Sequence, residues 1–174
     1  MTLKYPTHGK YLMEIIRNVK QKTTYDGNRF IATDLFTSLS NGDTKEYLVD
    51  ASGVPENKCI EVYGLDVTTD GQCVVTVYGN VTLSSQGDLI SIHNANMQSN
   101  AQPSLKIYSA VMDTGEPIHQ MYIASGSRSS RVMAEVFEHR LLGRDKLIIS
   151  IKNVSGTSMA YGSIIADWSE LWEG

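Results

Sequence analysis

Four histidines are the first residues that could do chemistry, because imidazole binds metals and transfers protons near neutral pH. They are His8, His93, His119 and His139. No two of them stand in an H-x-H or H-x-x-x-H spacing, which would place both rings on one side of a strand or helix. We therefore expect surface or rim histidines, no metal site and no bound cofactor.

Motifs for nucleophilic or acid–base catalysis are also missing from the sequence. The chain has no G-x-S-x-G elbow, no Walker loop and no G-x-G-x-x-G element. Glu135 and Glu138 lie three residues apart in a predicted strand, so their carboxylates would point to opposite faces and would not share a substrate. The sequence thus predicts no catalytic residues and a protein that is not an enzyme.

Length and charge limit the classes of partner. The chain has 174 residues, with 15 Lys+Arg against 19 Asp+Glu and a formal net charge of -4, so it lacks the basic excess typical of nucleic-acid binding. No segment approaches the roughly 20 apolar residues of a membrane helix. The first residues also lack the continuous apolar stretch of a signal peptide. We expect a soluble protein that is not exported and binds neither nucleic acid nor membrane.

Two cysteines, Cys59 and Cys73, lie in strand-like runs on either side of the turn signal Asp70-Gly71. A two-residue hairpin loop at that turn would place Thr68 opposite Cys73 and leave Cys59 nine residues further along the first strand. That separation is roughly 30 Å at the rise of a strand, whereas a disulfide needs Cα atoms within about 7 Å. Two buried free thiols are expected, which suits a reducing compartment.

Residues 1–24 differ from the rest of the chain and are predicted to form an N-terminal arm. Four apolar residues follow the i, i+3, i+4, i+7 spacing of one face of a short helix. They are Leu12, Ile15, Ile16 and Val19. Because such a short helix is marginal alone in water, its apolar stripe must pack on something. Three alternatives stay open: packing on the chain's own domain, docking on a neighbouring subunit, or a disordered segment.

From residue 25 onward, short β-rich runs alternate with turn residues, and no long helical period occurs. The predicted strands are residues 29–36, 46–49, 58–67, 72–78, 88–93, 104–109, 119–124, 131–139, 147–152 and 161–168. Many short strands with frequent turns favour a jelly-roll or Greek-key sandwich at this length. Residues 25–174 are therefore predicted to form one all-β domain, with the strand order left open.

Two segments of the sequence are predicted to be loops or turns. The stretch from residue 94 to 103 is rich in Asn, Gln and Ser and is predicted to be a long exposed loop, whereas residues 113–117 are predicted to form a tight turn. The loop residues of interest are Asn94, Asn96, Met97, Gln98 and Asn100.

Trp168 continues the alternation of inward-facing residues along the last predicted strand and is expected in the core. Trp172 is expected at an edge or interface, because tryptophan is enriched at binding hot spots.

Four segments, in their order and spacing, resemble a family of β-sandwich (jelly-roll) decoration and minor structural proteins of tailed double-stranded DNA viruses, the tailed phages. They are Val74–Tyr78, Gly87–Asn96, Leu147–Gly156 and Asp167–Glu170. The likeness extends over residues 47–173. Met97 stands where an arginine commonly follows the Asn-x-Asn loop of that family.

The resemblance implies a virion protein, assembled in the host cytoplasm, that binds the major capsid protein as a homotrimer and stabilises the capsid as a decoration or cement protein. Under it, the expected capsid or subunit contacts are Leu12, Ile15, Ile16, Val19 and Trp172. The alternative is a receptor- or glycan-binding module of a tail or head fibre, with the loop at residues 94–102 and Trp172 exposed at its tip.

Overall fold

The computed structural model of the chain describes residues 19–125, 128–129 and 146–172. Within these residues one helix, α1, occupies residues 19–25, and nine strands follow it. The strands are β1 (Arg29–Leu39), β2 (Thr44–Asp50), β3 (Lys58–Thr69), β4 (Cys73–Ser85), β5 (Ile92–Asn94), β6 (Lys106–Ile123), β7 (Arg128–Ser129), β8 (Lys146–Asn153) and β9 (Met159–Trp172). The predicted strand at residues 131–139 lies outside the described residues.

The strands form two antiparallel sheets packed as a sandwich. Sheet A has the order β5-β1-β9-β3-β7, and sheet B contains β2, β8, β4 and β6. Apart from the short β5, the pairing is nested: β1 pairs with β9, β2 with β8, β3 with β7, and β4 with β6. Nested antiparallel pairing of eight strands across two sheets is the jelly roll. The prediction of an all-β jelly-roll sandwich is confirmed.

Sheet B differs from the predicted strand list at β6. This single strand replaces the two predicted strands at residues 104–109 and 119–124, so the predicted turn at residues 113–117 is wrong. Gly115 and Pro117 lie where β6 pairs with β4 through several register shifts. Glycine and proline mark turns, but both are also accommodated at β-bulges. The first part of β6 pairs with β2 and the remainder with β4, so the four strands of sheet B close on themselves.

The turn at Asp70-Gly71 crosses between the sheets and does not close a hairpin, so the predicted facing of Thr68 and Cys73 is wrong. Strand β3 lies in sheet A and β4 in sheet B. The Asp70 carboxylate holds the crossing by accepting hydrogen bonds from the backbone N–H groups of Ala160 (3.0 Å) and Tyr161 (3.4 Å). The crossing allows both strands to turn their apolar residues into the core between the sheets.

Cys59 and Cys73 form no disulfide with each other, as expected. Cys73 is buried, and burial raises the pKa of its thiol, whereas Cys59 is only half-buried on β3. The predicted strand at residues 88–93 is reduced to an isolated bridge between Leu89 and Tyr108 and to the three residues of β5.

The core lies between the two sheets and is built from the inward-facing residues of both. Trp168 is 1% exposed and packs against Phe30 with ring centroids 5.9 Å apart, which confirms its predicted core position. Tyr47 is also buried, and its hydroxyl donates to Asp34 at 2.8 Å. Burial, followed by this hydrogen bond, raises the pKa of Tyr47, so the phenol stays protonated.

Candidate contact surfaces

Helix α1 is fixed to the outer face of sheet A by one carboxylate. Asp167 of β9 accepts two hydrogen bonds from the Arg29 guanidinium, both 2.8 Å long, and lies 2.8 Å from the Lys20 ammonium of α1. Arg29 also donates to the Thr24 hydroxyl at 3.1 Å. The hydrogen bonds to Asp167 raise the pKa of Arg29. This bidentate, partly buried pair is stronger than an ordinary surface ion pair.

Tyr63 of β3 provides the surface on which these cations lie. Its ring centroid is 4.9 Å from the Lys20 ammonium and 5.9 Å from the central guanidinium carbon of Arg29, within the range of cation–π attraction. The Tyr63 hydroxyl lies 3.3 Å from the Thr23 hydroxyl and donates to Glu61 at 3.1 Å. Burial raises the pKa of Tyr63, so the phenol stays neutral. Residues 20–24 of the predicted arm are therefore part of the sandwich surface.

Most of the predicted apolar stripe lies outside the described residues. Leu12, Ile15 and Ile16 precede residue 19, where the description begins. Val19 is half-buried at the start of α1. The chain before residue 19 thus joins the domain at the outer face of sheet A.

The loop after β5 is held in shape by two asparagine side chains. The Asn94 amide donates to the Gly27 carbonyl at 2.7 Å, and its oxygen accepts from the N–H of Asn96 at 2.9 Å. Asn96 repeats this pattern: it donates to the Tyr25 carbonyl and accepts from the N–H of Gln98, both at 3.0 Å. These two Asx turns tie the loop to the end of α1.

Gly27 allows the loop and the end of α1 to approach closely. Its φ angle is +74°, and a Cβ added there would lie 2.3 Å from the Ser99 hydroxyl oxygen. A side chain at this position would displace Ser99, and glycine adopts this positive-φ conformation with the least strain. The helix end and the loop are therefore joined by hydrogen bonds and close packing, and we call them together the clamped loop (residues 25–27 and 94–99).

The clamped loop turns its large apolar side chains outward and its amides inward. Met97 is 97% exposed and Tyr25 is 85% exposed. Gln98 and Asn100 are also exposed, but Asn94 and Asn96 are half-buried because their amides bond to the end of α1. The exposed-loop prediction thus fits three of its five residues fully. It missed Tyr25, which carries no sequence signal beyond its position after the helix.

A buried carboxylate holds the far end of this loop. Glu170 is 1% exposed and accepts hydrogen bonds from the N–H groups of Ser104 (2.6 Å) and Leu105 (2.9 Å) and from the Lys58 ammonium (2.9 Å). The same ammonium lies 4.9 Å from the centroid of the Trp172 ring. Trp172 is 59% exposed at the end of β9, the position that the sequence analysis assigned to edge or interface packing.

The outer face of sheet A carries a second pair of exposed apolar side chains. Leu35 of β1 is 79% exposed and Tyr161 of β9 is 61% exposed. Tyr161 lies opposite Thr37, two residues from Leu35, so both side chains point to the same face. Strand β5 pairs with β1 only at residues 30–32. Among the described residues, no strand pairs with this edge of β1 from residue 34 to 39.

The described residues provide no metal centre. His93 is exposed, with Nε2 2.9 Å from the Ser91 hydroxyl, and His119 lies on β6. In the described part of the chain, no three His, Cys, Asp or Glu side chains stand close enough to hold a metal ion. Likewise, no helix there is long and apolar enough to cross a membrane. The other candidates lie outside this part: His8, His139, Glu135 and Glu138.

Neither a protein-family model nor a curated protein matches this chain in comparisons with known proteins.

Proposed function

We propose that the protein is a virion structural protein, assembled in the host cytoplasm, that binds the capsid surface as an oligomer and stabilises it. The observation that carries this proposal is the outer face of sheet A. This face combines two exposed apolar side chains, the point from which the N-terminal arm leaves the domain, and an edge of β1 that no other described strand pairs with from residue 34 to 39.

Within the part of the chain that the structure describes, residues 34–38 of β1 have no strand partner on this edge, which offers backbone N–H and C=O groups to another chain. Such an edge is a template for strand pairing unless a protein blocks it with charge, proline or a covering element. Leu35 lies on this edge with most of its side chain in water. Burying a side chain of this size stabilises a contact by about 1.5–3 kcal/mol. The edge therefore favours association with a sister subunit or with the capsid.

The anchor of α1 supports a role for the arm. Asp167, Arg29 and Lys20 fix residues 20–24 on sheet A, so the preceding segment starts from a defined place on the same face. Under the proposal, Leu12, Ile15 and Ile16 reach the capsid or a sister subunit, and the domain remains folded without them.

The loop chemistry favours a protein partner over a glycan. A sugar site needs side-chain amides or carboxylates that are available to bond hydroxyl groups. The amides of Asn94 and Asn96 bond the backbone, which leaves only the exposed amides of Gln98 and Asn100 for that role. The fibre-module alternative predicts binding on a glycan array that is lost in Trp172→Ala. Such a result would replace the capsid proposal.

The test is deletion of residues 1–18, which spares Lys20, Thr23 and Thr24 on the sandwich. We expect the shortened protein to keep its circular dichroism spectrum and unfolding midpoint. Its occupancy on capsids that were assembled without the protein should fall to background, as quantified by gel after sedimentation.

Matched triple variants separate the apolar stripe from arm length. Leu12, Ile15 and Ile16 changed together to Ser should lose occupancy in the full chain. Lys10, Glu14 and Arg17 changed together to Ser should retain it, because these charged residues fall outside the predicted apolar stripe. Full occupancy of the apolar variant would contradict the role of the arm.

A further inference from the structure

We propose that Asn41 is a site of chemical modification, at which the side-chain amide is converted slowly to a carboxylate while the turn around it is open. Asn41 and Gly42 lie between the end of β1 and the start of β2, and both are exposed to water. Asn41 is the only asparagine in the chain that glycine follows. The reaction is independent of any role on a capsid, so its test is separate from that of the proposed function.

The reaction needs only the chain and water. The backbone nitrogen of Gly42 loses its proton and attacks Cγ of Asn41, which forms a cyclic succinimide and releases the side-chain nitrogen as ammonia. Water then opens the ring at either carbonyl group and gives aspartate or isoaspartate. Glycine suits the attacking position because it has no Cβ to shield its nitrogen, and no atom lies within 4 Å of a Cβ added at Gly42.

The fold holds the attacking nitrogen in a hydrogen bond. The N–H of Gly42 donates to the carbonyl of Asn153 at 2.9 Å, and the N–H of Asn153 donates in return to the carbonyl of Asp43 at 3.0 Å. Asn153 is fully buried, and its side-chain amide donates to the carbonyl of Leu39 at 2.8 Å. While these bonds last, the nitrogen of Gly42 keeps its proton and is not free to attack.

The fold also holds the group that is attacked. Oδ1 of Asn41 accepts the N–H of Gly156 at 2.9 Å, in the turn between β8 and β9. The attack requires the Asn41 side chain to fold back over its own peptide bond to Gly42, so the bond to Gly156 must break first. The reaction therefore proceeds from molecules in which this junction between the two turns has opened locally, and its rate depends on the open fraction.

Modification should in turn weaken the junction. In isoaspartate the main chain contains an additional methylene group between residues 41 and 42, which displaces the N–H of Gly42 from the carbonyl of Asn153. Strands β1 and β9 belong to sheet A, and β2 and β8 belong to sheet B. Both turns of the junction therefore cross between the sheets, and loss of their bonds loosens this end of the sandwich.

The test incubates the full chain at mildly alkaline pH, folded in buffer and unfolded in urea, and quantifies isoaspartate at residue 41 by peptide mapping with mass spectrometry. We expect the folded chain to be modified at least about tenfold more slowly than the unfolded chain, because the junction must open first. Asn100 is the internal control, since the Cβ of Ala101 shields the next nitrogen. It should be modified far more slowly than Asn41 in urea.

A variant tests the junction in the folded protein. Asn153→Ala removes the amide that bonds Leu39, so we expect the rate at residue 41 to rise about threefold or more. The comparison of the wild type in buffer and in urea does not depend on whether this variant folds.

Each part of the proposal has a result that overturns it. The absence of isoaspartate at residue 41 in urea would overturn the site itself, and equal rates in buffer and urea would overturn its control by the junction. Ion exchange separates the modified molecules by their additional negative charge. An unfolding midpoint equal to that of unmodified protein would contradict the weakening of the junction.

Discussion

At residue 162 the main chain of β9 lies directly against the ring of Phe36. The two residues face each other in the pairing of β1 with β9, and a Cβ at Gly162 would lie 2.2 Å from Cζ of the ring. Glycine in a strand interior is normally destabilising, because it loses more entropy on folding and packs nothing. Here the ring fills the space of the missing side chain, and Phe36 is thereby buried.

We predict that Gly162→Ala lowers the free energy of unfolding by about 1–3 kcal/mol, because the ring must leave its preferred position to admit a methyl group. Urea denaturation measures this change. Gly64→Ala is the matched control on β3, since no atom lies within 4 Å of a Cβ added there. We expect the control to change stability by less than about 0.5 kcal/mol. Equal losses in the two variants would show that the ring contact is unimportant.

Sequence reasoning at the residue scale identified the core better than the polar contacts. Trp168 could be assigned from the alternation of β9, because apolar burial follows strand periodicity. Its neighbour Asp167 could not, since both of its partners precede it by more than 130 residues. The Asn94-x-Asn96-x-Gln98 spacing does contain a local signal, because asparagine readily bonds the backbone two residues ahead. That signal indicates Asx turns but not the contact with α1.

At the scale of the elements, residues typical of turns did not show which kind of connection they form, because that depends on strand pairing between distant parts of the chain. Asp70-Gly71 suits a hairpin and a crossing between sheets equally well, and only the pairing of β3 with β9 and of β4 with β8 decides between them. Gly115 and Pro117 mark a bulged segment of β6 where they had suggested a turn. By contrast, the predicted strand at residues 147–152 is confirmed as β8, and its residues 147–151 are buried on both faces of the strand.

The anchor of α1 yields a prediction about this element alone. Asp167→Asn removes the charge that pairs with both Arg29 and Lys20, so α1 should open more often. We expect trypsin to cleave after Lys20 and Lys22 about fivefold faster or more, since a loss of 1 kcal/mol or more raises the open population by that factor. Mass spectrometry of the fragments locates the cuts. Asp43→Asn in an exposed turn is the control, and an equal rate in both variants would contradict the anchor.

At the scale of the whole molecule, the sequence predicted the sandwich architecture but not the order of its strands. Strand number, turn frequency and chain length favour a jelly roll. The order of the strands follows from the pairing of the first long strand with the last, which no local pattern encodes. The exposure of individual side chains was equally hard to predict. Nothing in the sequence distinguishes Leu35, Tyr161 and Tyr25 from ordinary strand or helix residues, although the fold leaves all three exposed.

The edge of β1 at residues 34–38, which no described strand covers, predicts the behaviour of the free protein in solution. We expect light scattering to give a mass near three times 19.2 kDa, because an edge that carries an exposed Leu35 is more stable when it is covered by a sister subunit. Leu35→Lys places a charge on that edge and should shift the mass toward one chain. Val111→Lys, on the other sheet, should leave it unchanged. A wild-type mass of 19.2 kDa at every concentration would contradict a preassembled trimer and assign oligomerisation to the capsid surface.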